Sequence, residues 1–488
     1  MPTGQQHTGQ QHTGLNLIAG EWAPAAGGRT FERRNPADRG DLIGTFPDSS
    51  AADMAAAVAG VAEGAAEWTA APAERRAAVL EKAADWLEAR RDELTVELVR
   101  EEGKTRAEAA IETGRTPKNL RFYAAEALRI TGTSYPADDG GLVYTRREPV
   151  GVVGAITPWN FPLNIPSRKL GPALAAGNGV VFKPSPVTPL LAQRLVEALL
   201  AGGLPPAAIA LVQGGAEPGA ALAADPRAGA ITFTGSTAAG RRIHASVGPS
   251  RRCQLEMGGK NAVIVLEDAD LDRAAQIIAK GAYGLSGQAC TGTSRVIAHE
   301  AVHDALLERV VRLAESRTVG NGLHEGVDMG PLAADFQLEK VLEYVRIGEE
   351  EGAKLLTGGR RLEDEAGYFV TPAVFAGVSA ADRIAREEIF GPVLAFQSAG
   401  DLDEAIALAD DTEYGLSAGI VTRDLDRALA FARRVRSGLV KINQPTSGMA
   451  MTVPFGGLKE SSTQTFKEQA GDSMMLFYTQ EKSVYITP

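Results

Sequence analysis

The chain carries two kinds of apolar pattern. In residues 72–101, Leu80, Ala84, Leu87, Leu94 and Leu98 recur at helical spacing with charges between them, which predicts one amphipathic helix. Further on the apolar runs shorten: GVVGAI (151–156), VVF (180–182), IALVQ (209–213), AITFTG (230–235) and NAVIVL (261–266). These runs barely alternate with polar residues, so they predict strands buried on both faces. Helical stretches such as LLAQRLVEALLAGG (190–203) lie between them. Strand and helix in alternation predict an α/β fold with a parallel sheet covered on both sides. A second series predicts a second α/β unit: SRVIAH (294–299), a helix to about residue 316, GYFVTPAVF (367–375), PVLAF (392–396), GLSAGIVT (415–422), a helix from Asp424, and GLVKIN (438–443). GGLVYTRREP (140–149) and FYTQEKSVYITP (477–488) read as extended, and are expected to pair as a small separate sheet.

Composition narrows the function classes. The 488 residues are 44% apolar and 23% charged, enough for a large core, and the length suggests two to three domains. The formal net charge of -11 gives no support to binding nucleic acid or an anionic membrane. No apolar run approaches the ~20 residues of a membrane span. Two cysteines make no disulfide framework and point to a reducing, cytoplasmic setting. The start, MPTGQQHTGQQHTG, is polar and repetitive, so residues 1–14 are expected to form a disordered tail.

Candidate chemistry clusters where strands end, the place ligands occupy in doubly wound sheets. TPWNFP after the first run places Asn160 in a turn, and KPSP places Lys183 at a strand end. GSTAAG puts Gly235 and Ser236 at the start of a helix, whose free backbone N–H groups suit a phosphate. An ordinary strand-to-helix turn and a solvated lysine explain these residues equally well when each is taken alone. Glu256, in QLEMGGKN, is a helix cap, an ion-pair partner or a tuned general base. Cys290 sits in the small, polar stretch GQACTGTSR, the accessible setting that a reactive thiolate needs. Such a thiolate is also open to oxidation. Cys253, in RRCQLEM, reads as inert packing.

A rival motif follows. HEAVH (299–303) matches the H-E-x-x-H zinc signature. That signature needs both histidines on one helix face, whereas His299 closes a strand-like run and the helical pattern begins at about Ala301. No metal site is therefore expected. None of the six histidines neighbours Cys290 in sequence, which leaves a Cys–His hydrolase unsupported.

TPWNFP, FKPSP, FTGST, LEMGGKN, GQACTGTSR, EEIFGPV and PFGGLK occur in this order across almost the whole chain. Together they resemble the aldehyde dehydrogenase superfamily. The resemblance implies two doubly wound, Rossmann-like α/β domains plus a small oligomerisation sheet. Residues 15–132 and 152–258 would bind cofactor, 259–466 would carry catalysis, and 133–151 with 467–488 would form the sheet of a homodimer or homotetramer. It implies that Cys290 is the nucleophile, that Asn160 and the Cys290 N–H hold the oxyanion, and that Glu256 activates the hydrolytic water. A glutamate at 256 argues against the CoA-acylating branch. Lys183 resembles the lysine on the adenosine ribose, Ser236 the phosphate contact, Glu388 and Phe390 the pair at the nicotinamide, and Trp159 a lining of the adenosine side.

One departure concerns the cofactor. Members that prefer NAD often place a glutamate three residues after the lysine, and here that position is Pro186. No carboxylate repels a 2′-phosphate and Ser185 is able to donate to it, so NADP is expected to be accepted, either alongside NAD or in preference to it. Arg168, eight residues after Asn160, is expected two helical turns away and facing the same tunnel, as partner for a substrate carboxylate. The alternative for Arg168 is a surface position. S-R-K is similar to the T-R-K of succinate-semialdehyde dehydrogenases. LVYTRREPVGVVGAITPWNFP, TGTSR, KESSTQTFKEQA and FYTQEKSVYI more closely resemble α-ketoglutarate-semialdehyde (2,5-dioxopentanoate) dehydrogenases, which implies oxidation of that aldehyde to α-ketoglutarate. Within the family the runner-up is succinate-semialdehyde oxidation, and below it a broad aldehyde oxidase; outside it stand a cofactor-independent thioesterase and a relative that keeps the fold without the catalysis.

Overall fold

A computed structural model describes residues 11–137, 140–362, 366–468 and 471–487. Seven strands form the first sheet, in the order Arg252–Glu256, Ala228–Thr234, Val152–Ile156, Gly179–Lys183, Ile209–Leu211, Asn16–Ile18, Glu21–Ala23. The first five run parallel and the last two antiparallel. Neighbouring side chains point to opposite faces, as strand geometry dictates. Val152 and Val181 meet the helices Ala51–Gly64, Ala216–Ala224 and Thr237–Val247. Val153, Val180 and Phe182 meet Asn164–Ala175 and Pro189–Ala201. Burial on both faces explains why these strands read as unbroken apolar runs.

The second sheet repeats the scheme in the order Lys354–Thr357, Ala373–Ala376, Val393–Ala399, Thr293–His299, Asn261–Val265, Ser417–Val421, Leu439–Ile442. Its strands are parallel except the first, Lys354–Thr357. Helices Leu271–Tyr283 and His303–Glu315 cover one face, and Leu402–Asp410 and Leu425–Arg434 the other. A third sheet is antiparallel. Thr479–Ile486 pairs along its length with Leu142–Pro149, whose other edge takes Ser134–Tyr135. Among the described residues no helix is long and apolar enough to cross a membrane.

Several expectations are corrected. The single helix over 72–101 is two, Ala73–Ala89 and Arg91–Glu102, broken at Arg90 with φ −111° and ψ 16°. Leu87 and Leu94 are both buried and seven residues apart, so the apolar period stays in phase across the break and hides it. The expected tail is shorter than residue 14, because His12–Thr13 pairs in parallel with Gly44–Thr45. Residues 1–10 lie outside the described residues. Of GYFVTPAVF only its last three residues lie in a ladder strand, Ala373–Ala376, since two residues upstream of it Thr371 turns back to bond Arg360. Phe477 and Tyr478 end the helix Gly471–Tyr478 with their rings fully buried, and the last strand starts only at Thr479.

Candidate active site

Side chains at the carboxyl ends of the first sheet meet segments that lead into the amino ends of the second. Asn160 follows the strand Val152–Ile156 and donates its Nδ2 to the Gln288 carbonyl at 2.9 Å. The Gly259 N–H donates to Glu388 Oε1 at 3.0 Å. Ligand binding at strand carboxyl ends therefore describes the first sheet only, because Cys290 and Glu388 precede their strands.

The turn that carries Cys290 is built from unusual backbone. Leu285 and Ser286 have φ of 54° and Gly287 of 72°. A side chain at Gly287 would run into the backbone of Gly391, so this glycine is what lets the two turns touch. Asn261 Nδ2 donates to the Cys290 carbonyl at 2.7 Å and to that of Gly292 at 2.8 Å, which staples the turn to the second sheet. Cys290 is half-buried and packs with Met449 against Leu416, Leu439 and Phe455. Burial pushes its thiol up to about 12, with the Glu388 carboxylate next in effect and Arg168 opposing. The protein without cofactor therefore holds this cysteine as the thiol, not the reactive thiolate that its polar sequence setting suggests. The polar neighbours Gln288, Thr291 and Thr293 are buried and spend their groups inside the protein. Burial also pushes Cys253 up to about 12, in keeping with inert packing.

Glu256 ends its strand fully buried. Its Oε1 accepts from Ser462 Oγ at 2.9 Å, and its Oε2 has no hydrogen-bond partner among the described residues. Burial holds its pKa well above the ordinary range, and the Glu468 carboxylate adds to this. Burial pushes Glu468 the same way, but Lys169 and Arg168 outweigh it and leave Glu468 low. The proton of this pair sits on Glu256 and the charge on Glu468.

Asn160 and Arg168 do not share a helix. The helix runs Asn164–Ala175, and Asn160 stands in the turn before it. Lys104 Nζ donates to the Asn160 carbonyl at 2.8 Å and pairs with Glu112 Oε2 at 2.6 Å. The other oxygen of Glu112 accepts the N–H groups of Leu163 and Asn164, both at 3.0 Å. Arg168 is 3% exposed, which excludes the surface position. Its Nη2 lies 3.5 Å from Glu468 Oε1, its Nη1 2.8 Å from Met449 Sδ, and its guanidinium 5.4 Å from the centre of the Phe455 ring. Lys169 Nζ reaches Glu468 Oε2 at 2.7 Å.

Sequence reasoning assigned no role to Lys104, Glu112, Lys169 or Glu468. The Arg168–Lys169 doublet and the KEQA segment were visible, but nothing in sequence says that they meet across 299 positions.

The residues present fit a dinucleotide. Lys183 ends its strand buried, and no carboxylate pairs with it among the described residues. Burial alone pulls it down to about 8. Ser236 caps the helix Thr237–Val247, with its Oγ accepting from Ala239 N at 3.4 Å. The leading N–H groups of that helix have no partner within it. Gly235 is no free donor, since its N–H bonds the Glu256 carbonyl at 3.1 Å. Glu388 is raised by burial, against the Gly259 N–H, Lys340 and Lys260. Ser185 Oγ accepts from Val187 N at 3.2 Å beside half-buried Pro186, and its own proton stays available. Trp159 meets Phe390 edge to face, ring centres 5.5 Å apart. The two residues expected at opposite ends of the cofactor thus stand side by side. In HEAVH, His299 ends the strand Thr293–His299 and His303 starts the next helix, so the two share no helix face.

Comparison with known proteins bears on this arrangement. The model of the aldehyde dehydrogenase family matches residues 22–484. The alpha-ketoglutaric semialdehyde dehydrogenase of Bacillus subtilis (strain 168) is 41% identical over 480 residues, covering 97% of this chain and 98% of that protein. The 2,5-dioxopentanoate dehydrogenase of Saccharolobus solfataricus is 42% identical over 473 residues, covering 96% and 98%. A crystal structure of an NAD-dependent aldehyde dehydrogenase from Sinorhizobium meliloti superposes with a TM-score of 0.95 at 37% identity, over 99% of this chain and 97% of that one.

Proposed function

The chain belongs to the aldehyde dehydrogenase family and is an NAD(P)-dependent enzyme that oxidises aldehydes, and from this premise we propose that its substrate is α-ketoglutarate semialdehyde. Two relatives above 40% identity carry the name of that activity. The observation that carries the reading is the buried Arg168 guanidinium against Phe455 and Met449, which belong to the same small apolar cluster as Cys290. A cation there favours an aldehyde that bears a carboxylate at its far end.

In the proposed reaction Cys290, a neutral thiol at rest, first loses its proton to solvent, and the thiolate then attacks the aldehyde carbon and forms a thiohemiacetal. The Cys290 N–H and the remaining Nδ2 hydrogen of Asn160 hold the developing oxyanion. Asn160 is fixed for this by its bond to the Gln288 carbonyl and by the Lys104–Glu112 pair behind it. A nicotinamide held beside Glu388 and Phe390 would supply the hydride acceptor for this carbon, which would leave a thioester on Cys290. Glu256 then takes a proton from water, which attacks the thioester and releases the acid. Because Glu256 starts protonated, it must first lose that proton, and the charged Glu468–Lys169 pair next to it is one route for the exchange.

Lys183, Ser236, Glu388 and Phe390 hold the cofactor in this reading, with Trp159 beside Phe390. Pro186 leaves no carboxylate against a 2′-phosphate and Ser185 donates to it, so NADP is used as well as NAD. The small sheet joins protomers, since Tyr485 is 75% exposed and Tyr135, Leu142 and Ile486 lie open on the same three strands.

The test is the initial rate of nicotinamide reduction with 2,5-dioxopentanoate, succinate semialdehyde and propanal, each with NAD and NADP. The reading expects the highest kcat/KM for 2,5-dioxopentanoate and activity with both cofactors. A higher value for propanal removes the substrate assignment, and no reduction with NADP removes the argument from Pro186.

A further inference from the structure

A second arginine reaches the Met449 loop from another helix. Arg115 lies half-buried on the helix Arg106–Ala127. Its Nη2 donates to the Met449 carbonyl at 2.6 Å, while Arg168 Nη1 stands 2.8 Å from Met449 Sδ. Two guanidinium groups thus bracket one residue, and that residue packs against the same apolar cluster, Leu416, Leu439 and Phe455, as Cys290. They also feel each other: burial, then the Arg168 charge, lowers the pKa of Arg115. Among the described residues Arg115 has no ion pair, and its one partner is a neutral carbonyl. Most of its N–H donors are uncommitted.

The charges in contact here are unequal. Arg168 and Lys169 both reach Glu468, at 3.5 and 2.7 Å. Glu256 is held protonated and adds no negative charge. Two cations thus already share the one carboxylate, and Arg115, on the other side of Met449, has none among the described residues. Burying an uncompensated cation is costly, and an incoming anion relieves that cost. Arg168 is the poorer place for the anion, because it already faces Glu468 and lies over Phe455. Arg115 is the better one: its charge is unanswered, and its planar fork matches a carboxylate.

We propose that Arg115 is the specificity-determining residue that ion-pairs directly with the remote carboxylate of the aldehyde substrate, while Arg168 adds favourable field without making the main contact. The proposal rests on the substrate class given above. It moves the anchor from the residue that the sequence singles out to one on a different helix, beside an extended chain entering toward Cys290.

The test compares the wild type, Arg115→Gln, Arg115→Lys and Arg168→Gln with 2,5-dioxopentanoate and with pentanal, which has the same chain length and no carboxylate. Tm and cofactor binding are measured on each. Arg115→Gln is expected to raise KM for 2,5-dioxopentanoate by about one to two orders of magnitude, the size of a lost charged hydrogen bond. The ratio of kcat/KM between the two aldehydes should collapse with it, and Arg115→Lys should recover part of the ratio. If the wild type does not favour 2,5-dioxopentanoate over pentanal, the substrate reading falls and takes this proposal with it. If the wild type does favour it and folded Arg115→Gln keeps the ratio, only the assignment of Arg115 falls. A ratio lost in Arg168→Gln but kept in Arg115→Gln returns the anchor to Arg168.

Discussion

Asn160 gives one hydrogen of its side-chain amide to the carbonyl of Gln288, 2.9 Å away and two residues before Cys290. The donor that would stabilise the oxyanion is therefore tied to the backbone that carries the nucleophile. The two arrive together, with no reorganisation at the moment of reaction. Asn160→Ala should lower kcat by about 10²–10³-fold, the cost typical of a lost oxyanion donor. Thiol titration should still find Cys290. A fall of less than threefold would show that Asn160 only braces the turn.

The second prediction concerns the thiol. With burial holding Cys290 at about 12, the protein without cofactor is a neutral thiol at pH 7. Alkylation by iodoacetamide should be slow there and rise about tenfold per pH unit toward that value, because only the thiolate reacts. Adding NAD brings a cationic ring toward the sulfur and should speed alkylation at fixed pH. A rate that is flat between pH 7 and 9 without cofactor would contradict the high value.

A third follows from the carboxylate pair. Glu256 is raised, first by burial and then by the charge on Glu468. A base works only when deprotonated, so thioester hydrolysis should increase as pH rises through a value well above that of an ordinary carboxylate. Glu468→Gln removes the negative neighbour and leaves the Lys169 cation, and both changes lower Glu256. The rising limb of kcat should then move to lower pH. The same variant leaves Arg168 and Lys169 without their carboxylate and should lose about 3–5 kcal/mol of stability, read from chemical denaturation. A limb that stays in place or moves up would remove the coupling.

Cofactor choice should also depend on pH. Lys183 is pulled down to about 8, so it is cationic below that value and neutral above it. Affinity for NADP should weaken as pH rises through about 8, and more steeply than affinity for NAD, which brings one phosphate fewer to the site. Lys183→Met should flatten the difference. Equal slopes for the two cofactors would place the 2′-phosphate away from Lys183.

How far the sequence carries can be judged residue by residue. Strands such as Val152–Ile156 and Asn261–Val265 are covered on both faces, so their apolar runs announce them. Glu256, Asn160 and Cys290 stand beside glycines, prolines and small polar residues that an ordinary core does not use. The break at Arg90 left no trace, because burial at Leu87 and Leu94 fits one helix as well as two. Glu468 and Arg115 were illegible for another reason. Each matters through a residue hundreds of positions away, Lys169 for the first and Met449 for the second. The state of Cys290 was misjudged because its polar neighbours turn inward, and a list of residue types does not say which way they point.

The last strand has a consequence for biosynthesis. Tyr485 pairs with Val143, and Arg252 donates to the carbonyls of Leu476, Phe477 and Thr479. Asn178 reaches the Tyr478 carbonyl as well. The early half of the chain leaves the ribosome with these partners missing, since Leu476 follows Arg252 by 224 residues and Tyr478 follows Asn178 by 300. Glu468 comes from the same late stretch. During translation the strand Leu142–Pro149 must wait with an open edge, and Lys169 without its carboxylate, until these later residues emerge. Such long-range closure makes folding slow and exposes the nascent chain to aggregation. Loss of a few C-terminal residues would then cost yield of folded enzyme before it cost catalysis.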